Sequence, residues 1–241
     1  MVVRHKKTKM NKNQDVFGQI IKDRFLGEIK KTEKLGGKTW FSEYSDWFDR
    51  EKKAISYARG KVLDIGCAAG RHTLYLQKKG FDILAIDNSP LAIQICRKRG
   101  VKKAKVLSIT KLSYKLGCFD TILMFGNNFG LMANPKRAKW LLRRFKAMTS
   151  GNGIILAGSS PISWEHVSQD IKNRVIHNER LGKFPGEERR KMIYGNKSCL
   201  IDWLSVSEDE MLDIVKGTGW TIRDFIHDET EAYVAIIEKD N

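Results

Sequence analysis

Four cysteines are scattered over the 241 residues without a Cys-x-x-Cys pair, so neither a disulfide framework nor a metal site is predicted. No run of 18 apolar residues occurs, and therefore no membrane span is expected. The basic residues 1–12 are not followed by the apolar stretch that a secretory signal contains. These absences predict a reduced, cytoplasmic protein without a metal or a membrane partner.

Acidic residues are few beside basic ones, with 28 Asp+Glu against 44 Lys+Arg and a net charge of +16. The excess lies in residues 61–160, which hold 18 Lys+Arg and 4 Asp+Glu, whereas residues 161–241 hold 11 and 16. A basic body attracts nucleic acid or an anionic small molecule, but a lysine-rich solvated surface gives the same count. Since no RNA-binding module or interleaved aromatic pattern accompanies the charge, the solvated surface is the favoured interpretation.

The stretch Lys-Val-Leu-Asp-Ile-Gly-Cys-Ala-Ala-Gly at residues 61–70 predicts a strand that passes directly into a turn of small residues. Apolar residues 74–76 follow, so the turn is expected to open a helix whose free N–H groups face a ligand. A dinucleotide fingerprint would need a third glycine at position 71, where the chain has Arg71. The spacing therefore excludes that fingerprint.

Further apolar runs alternate with helical patterns, which predicts a largely parallel sheet. These strands are residues 81–86, 104–107, 119–125 and 154–158, and a closing hairpin is expected at 220–226 and 232–237. An acid at the carboxyl end of the second strand, Asp87, is placed to accept hydrogen bonds from both hydroxyls of a ribose. Asp87 could instead cap the following helix, although Ser89 is the better candidate for that cap.

The run Asp64-x-Gly66-x-Ala68-x-Gly70 resembles the first motif of the class I S-adenosylmethionine-dependent methyltransferases, an acid followed by three alternating glycines. Ala68 replaces the middle glycine. The resemblance implies an α/β, Rossmann-like seven-stranded sheet of order 3-2-1-4-5-7-6 whose last strand is antiparallel. It also implies N-terminal helices and a small cap insertion. The expected units are a basic arm and helical lid over residues 1–60 and a methyltransferase domain over residues 61–241, with the cap at residues 160–206.

The resemblance further implies S-adenosylmethionine as the cofactor. The residues expected to bind it are Tyr44, Asp64, Gly66, Cys67, Ala68, Gly70, Arg71, Asp87, Asn88, Ser108, Ile109, Phe125 and Asn127. Ser108 stands where the family has an acid that accepts from the adenine amino group, and a hydroxyl accepts more weakly than a carboxylate. Tyr44 belongs to an aromatic segment that could fold over the cofactor or pack into the core.

The acceptor side departs from the enzymes that methylate DNA bases. Their Asn-Pro-Pro-Tyr motif is absent, and residues 126–130, Gly-Asn-Asn-Phe-Gly, resemble the Gly-Asn-Ser-Phe run of methyltransferases that act on small molecules. Candidates on the substrate side are Asn127, Tyr194 and His166, and none is singled out as a catalytic group.

The sequence thus predicts an enzyme that transfers a methyl group from S-adenosylmethionine to a small-molecule acceptor. Two alternatives stay open at this stage. The basic body is compatible with an RNA or tRNA methyltransferase, and Ala68 and Ser108 are compatible with a protein that binds S-adenosylmethionine without catalysis.

Overall fold

A seven-stranded sheet forms the centre of the computed structural model, which describes residues 15–29, 39–163, 165 and 167–240. Its order is β3-β2-β1-β4-β5-β9-β8. The strands are β1 (Val62–Ile65), β2 (Ile83–Asp87), β3 (Ala104–Val106), β4 (Phe119–Met124), β5 (Thr149–Ser159), β8 (Trp220–His227) and β9 (Tyr233–Lys239). Strands β1 to β5 are parallel, and β9 is antiparallel to β5 and to β8. The predicted fold class and strand order are therefore confirmed.

Two strands outside the central sheet, β6 (Glu187–Tyr194) and β7 (Lys197–Leu204), pair as an antiparallel hairpin within residues 160–206. Counting this hairpin changes the numbers of the last two sheet strands from 7-6 to 9-8. The hairpin lies against the first helix and against the turn at residues 128–132, so it covers one end of the sheet.

Seven α-helices accompany the strands in the described part of the chain: α1 (Val16–Phe25), α2 (Asp49–Ala54), α3 (Arg71–Lys78), α4 (Pro90–Lys98), α5 (Pro135–Lys146), α6 (Gln169–Arg180) and α7 (Glu208–Val215). Their starts follow from local sequence. Ser89 and Asn134 each cap a helix whose first residue is proline, and Ser207 forms a capping box with Glu210. Within the described residues, no helix is long and apolar enough to cross a membrane.

The core occupies both faces of the sheet, because the central strands are apolar at nearly every position. One face packs Leu141 and Phe145 of α5 against Ile122, and the other packs Trp47 and Leu76 against the opposite side of the strands. Because β1 pairs in parallel with both β2 and β4, the carboxyl ends of these three strands lie at the same edge of the sheet.

Local backbone features set several element boundaries. Helix α1 ends at Phe25, since Gly27 adopts a positive φ of 75° that stops it. The aromatic segment before β1 holds short 3-10 turns and the six-residue α2. Strand β5 begins at Thr149, five residues before its predicted start, because a register shift against β4 accommodates residues 151–153. The predicted basic arm at the start of the chain lies within residues 1–14, outside the described residues.

Candidate functional site

A cleft of about 420 Å³ opens at the carboxyl ends of β1, β2 and β4. Strand β7 and the start of α1 form its opposite wall. Open parallel sheets bind ligands at this edge, where strand ends leave a crevice. Nine of the residues predicted to bind the cofactor line it: Gly66, Cys67, Ala68, Arg71, Asp87, Asn88, Ser108, Ile109 and Phe125.

The turn after β1 brings the backbone to the cleft through three residues of positive φ. Gly66, Ala68 and Gly70 have φ values of 75°, 49° and 80°, so alanine occupies a left-handed position usually left to glycine. The amide of Asn128 donates to the carbonyls of Ile65 and Gly66, at 2.9 and 3.0 Å, and fixes the turn from the side of β4. A side chain at Gly66 would collide with that amide, which accounts for glycine there.

Asp87 links the turn to the end of β2. One carboxylate oxygen accepts from the Ala68 N–H at 3.1 Å, and the other accepts from the Ser89 N–H at 2.9 Å. Ser89, not Asp87, caps α4 by accepting from the Ala92 N–H. Burial raises the pKa of Asp87, and the two backbone N–H groups oppose that rise. Because each carboxylate oxygen has two lone pairs, Asp87 retains capacity for donors from a ligand in the cleft.

Four predicted cofactor residues do not line the cleft. Tyr44 stacks on Tyr75, with ring centroids 4.6 Å apart, and this contact holds it on the outer side of α3. Asp64 is buried beneath the turn and accepts from the Thr73 hydroxyl at 2.5 Å. Burial raises the pKa of Asp64 to about 6, with the Thr73 hydrogen bond acting in the opposite direction. Neither side chain lines the cleft, and their contacts with the cofactor stay predictions.

The other two of these residues, Gly70 and Asn127, adopt left-handed backbone conformations that the turns require. Gly70 caps α3 in the left-handed conformation and faces Val101 and Cys96, away from the lining. Asn127 has a φ of 64° and makes the bend after β4, while the cleft is lined by its neighbour Asn128.

The substrate-side candidates are not brought together among the described residues. Tyr194 ends β6 at the tip of the hairpin and is absent from the cleft lining. His166 lies outside the described residues.

Ser108, predicted on the cofactor side, does line the cleft. Its hydroxyl forms a hydrogen bond with the Thr110 hydroxyl, at 3.0 Å.

Several lining residues were not predicted: Asp15, Phe17, Trp40, His72, Asn128 and the segment 199–203 of β7. Asn128 and His72 directly follow residues that were predicted, so the motif itself pointed to their position. The β7 residues and Trp40 reach the cleft only through tertiary packing, for which local spacing carries no signal.

Three ionisable side chains form a buried cluster at the start of α3, and two of them, Arg71 and His72, also line the cleft. Arg71 donates from Nη2 to both carboxylate oxygens of Glu51 at 2.7 Å, and His72 Nε2 lies 3.7 Å from Glu51 Oε2. Burial favours the neutral acid, but the neighbouring side chains of His72 and Arg71 outweigh it and hold the pKa of Glu51 below its usual value. Burial lowers the pKa of His72 to about 4, with Glu51 offsetting part of the effect. His72 is therefore neutral at pH 7, and its Nε2 has no hydrogen-bond partner among the described residues.

The burial of His72 predicts that the difference in the free energy of unfolding between the wild type and His72→Asn depends on pH. An unfolded histidine binds its proton near pH 6.5, whereas folded His72 does so near pH 4. Between these values the unfolded state binds more protons, so the stability due to neutral His72 is complete above pH 6.5 and is lost as the pH falls. We expect the wild type to lose about 3 kcal/mol more than the variant between pH 7.5 and 4.

The measurement is the free energy of unfolding in urea at each pH for both proteins. Asp64 titrates in the opposite direction, since its raised pKa favours the folded state as the pH falls, but it is common to both proteins and cancels in the difference. A difference that stays flat with pH would contradict the assignment of His72 as a buried neutral imidazole.

The strand order, the antiparallel β9, the small-residue turn after β1 and the acid ending β2 are the features of the class I methyltransferase fold. Residues 62–153 match the family model described as "Methyltransferase domain". This match covers β1 to β5, and the chain as a whole has the class I methyltransferase fold.

Similar proteins are found by sequence and by structure. A glycine/sarcosine N-methyltransferase of Halorhodospira halochloris is 25% identical over 117 residues, covering 46% of this chain and 43% of the relative. A glycine/sarcosine/dimethylglycine N-methyltransferase of Actinopolyspora halophila is 22% identical over 230 residues, covering 80% of this chain and 40% of the relative. The chain thus spans less than half the length of these curated relatives.

Among solved structures, a methyltransferase of Bacteroides fragilis in complex with S-adenosyl-L-homocysteine has a TM-score of 0.80 at 24% identity, covering 97% of this chain and 98% of that chain. A 1,6-didemethyltoxoflavin-N1-methyltransferase of Burkholderia thailandensis has a TM-score of 0.54 at 15% identity, covering 94% of this chain and 88% of that chain. At these identities the likeness concerns the fold.

Proposed function

We propose that this chain binds S-adenosylmethionine in the cleft and methylates a small-molecule acceptor there. The observation that carries the proposal is the meeting of the Asp87 carboxylate and the turn after β1 at one cleft edge, with β7 as the facing wall. An acid beside a backbone turn suits a nucleoside, because the carboxylate accepts from ribose hydroxyls while small residues admit the ligand.

The cleft's charges also suit this cofactor. Three carboxylates line it, those of Asp15, Asp87 and Asp202, against the single guanidinium of Arg71, which is already paired with Glu51 among the described residues. A surplus of negative charge attracts a sulfonium cation. The start of α3 adds free N–H groups on the same side, where the carboxylate end of the cofactor would be favoured.

Bound S-adenosylmethionine supplies a methyl group activated by the positive charge on sulfur. The chain's residues then need to hold the acceptor in line, exclude water and give its proton a path to solvent. Asn128 and Phe125 form the floor beside the turn, and β7 closes the opposite side. We assign residues 160–206 as the cap over the acceptor and the described part of residues 1–60 as a lid.

The charge of the cleft favours a small acceptor over RNA. The carboxylates lining it would repel phosphates, and β7 and α1 face the strand ends across it. The relatives named for glycine and sarcosine also point to small acceptors.

The test combines calorimetry with S-adenosylmethionine and release of S-adenosylhomocysteine in three acceptor pools. The pools are a desalted small-molecule extract, total tRNA and a pool of glycine, sarcosine and simple aromatic nucleophiles. We expect cofactor binding and product release with a small-molecule pool. Binding without turnover in any pool would indicate a non-catalytic protein, and turnover on tRNA alone would contradict the acceptor class.

A further inference from the structure

The acceptor end of the cleft is bounded by the turn after β4 and by β7. Asn128 and Leu131 lie on one side, and Leu200, Ile201 and Trp203 lie on the other. The ribose-binding acid Asp87 belongs to the opposite end, at β2. Residues that contact the acceptor should therefore come from these two later segments of the chain.

The other two carboxylates that line the cleft are held by partners within the protein. At the acceptor end, Asp202 accepts two hydrogen bonds from Arg189, at 2.6 and 3.0 Å, and this guanidinium lowers the pKa of Asp202. At the β2 end, Asp15 accepts from the Ser89 hydroxyl at 2.9 Å and from the N–H groups of Gly18 and Leu91. Both carboxylates are fixed in place, so neither is available as a mobile counter-ion.

Cationic side chains are even fewer than carboxylates in the cleft lining. Arg71 is the only lysine or arginine among the described residues that line the cleft, and both carboxylate oxygens of Glu51 hold it. An acceptor bearing a carboxylate or phosphate would therefore enter without a cationic partner and beside fixed acids. Burying an unpaired anion is strongly unfavourable, so the cleft selects against such acceptors.

Aromatic side chains supply the walls instead. The indole of Trp203 packs directly on Gly130, where a side chain would come within 2.1 Å of the indole Cε2. Gly130 thus provides the space that the indole occupies at the cleft wall. Toward α4, Trp40 packs on the cluster that contains Ala92 and meets Phe17 edge to face at 6.0 Å. Flat apolar surfaces of this kind favour stacking with a ring.

We infer that the acceptor is an uncharged aromatic or heteroaromatic compound, and not a carboxylated amine such as glycine. This inference rests on the proposed function, and it deepens that function by naming the acceptor class. Trp203 is the specificity-determining residue: it contacts the ring, and its position depends on Gly130.

The experiment measures affinity for the complex of the protein with S-adenosylhomocysteine, by calorimetry, using compounds that differ only by a carboxylate. The pairs are aniline and 4-aminobenzoate, and phenol and 4-hydroxybenzoate, with glycine and sarcosine beside them. We expect the uncharged member of a pair to bind about tenfold more tightly or better. Equal or tighter binding of the carboxylated members, binding of glycine or sarcosine alone, or binding of none of the compounds would overturn the inference.

Two variants test whether Trp203 of β7 is responsible for binding the uncharged ring. Trp203→Leu should weaken binding of the uncharged ring about tenfold while leaving affinity for S-adenosylhomocysteine unchanged. The matched control is Trp140→Leu, because Trp140 is an exposed indole on α5 that stacks with Arg144 outside the cleft. If both substitutions act alike, Trp203 has no role in acceptor binding.

Leu200→Arg supplies the missing cation at an exposed position of the wall, where folding should tolerate the change. We expect it to reverse or abolish the preference against the carboxylated members. An unchanged preference would contradict the electrostatic explanation. Failure of the proposed function gives a different result, because then S-adenosylhomocysteine itself would not bind or no methyl transfer would occur with any acceptor.

Discussion

Replacing Asp87 with alanine should weaken S-adenosylhomocysteine binding by about 1.5–3 kcal/mol, which corresponds to roughly ten- to a hundredfold. The reason is the loss of hydrogen bonds from ribose hydroxyls to a carboxylate, which are stronger than bonds between neutral groups. The measurement is calorimetric titration of both proteins with S-adenosylhomocysteine. Asp87 also holds the N–H groups of Ala68 and Ser89, so the thermal unfolding of each protein has to be recorded beside the titration.

A matched control lies at the other end of the same strand. Asp82 directly precedes β2, is exposed and pairs with Lys103, so Asp82→Ala removes a carboxylate far from the cleft. We expect its cofactor affinity to equal that of the wild type. If Asp87→Ala folds and binds as tightly as Asp82→Ala, the ribose assignment is wrong.

The elements that could be predicted from the sequence are those fixed by local pattern. The apolar run ending in Asp87 indicated both a buried strand and the position of its acid at the cleft edge. The small residues from Gly66 to Gly70 likewise indicated the turn, because few other residues adopt a positive φ without strain. Both features depend on residues adjacent in the chain.

The rest depended on contacts between distant segments. Tyr44 was predicted to touch the cofactor, but its stacking on Tyr75 is decided by how the aromatic segment packs on α3. Asn127 makes the left-handed bend, and therefore its neighbour Asn128 lines the cleft. Because both residues are asparagine, the sequence could not indicate which of them does so. The cleft wall from β7 required knowing where a hairpin more than a hundred residues from the turn would lie.

Arg71 illustrates a different limit. Its position after the turn predicted contact with a ligand, and it does line the cleft. Its ion pair with Glu51, twenty residues earlier, could not be predicted because it depends on how α2 packs against α3. The pair matters for the chemistry, since it removes the cleft's single lysine or arginine among the described residues from use by an acceptor.

The same pair gives the second large prediction: Glu51→Gln should lower the free energy of unfolding by about 3–5 kcal/mol. Glu51 and Arg71 are only 1% and 8% exposed, so the substitution leaves a guanidinium buried without its counter-ion. Glutamine preserves the shape of the side chain and one acceptor oxygen, and the expected loss therefore reports the missing charge. Unfolding in urea, followed by circular dichroism at pH 7, provides the measurement.

Two comparisons separate the charge effect from general damage. The double variant Glu51→Gln with Arg71→Met removes both charges and should recover most of the stability, because it is the unpaired charge that is costly to bury. Asp82→Asn breaks the exposed pair with Lys103 and should change stability by less than about 1 kcal/mol. If Glu51→Gln is no more destabilised than Asp82→Asn, Arg71 does not depend on Glu51 for neutralisation. Its guanidinium would then be free to bind an anionic acceptor, and the exclusion of carboxylated acceptors from the cleft would lose its electrostatic basis.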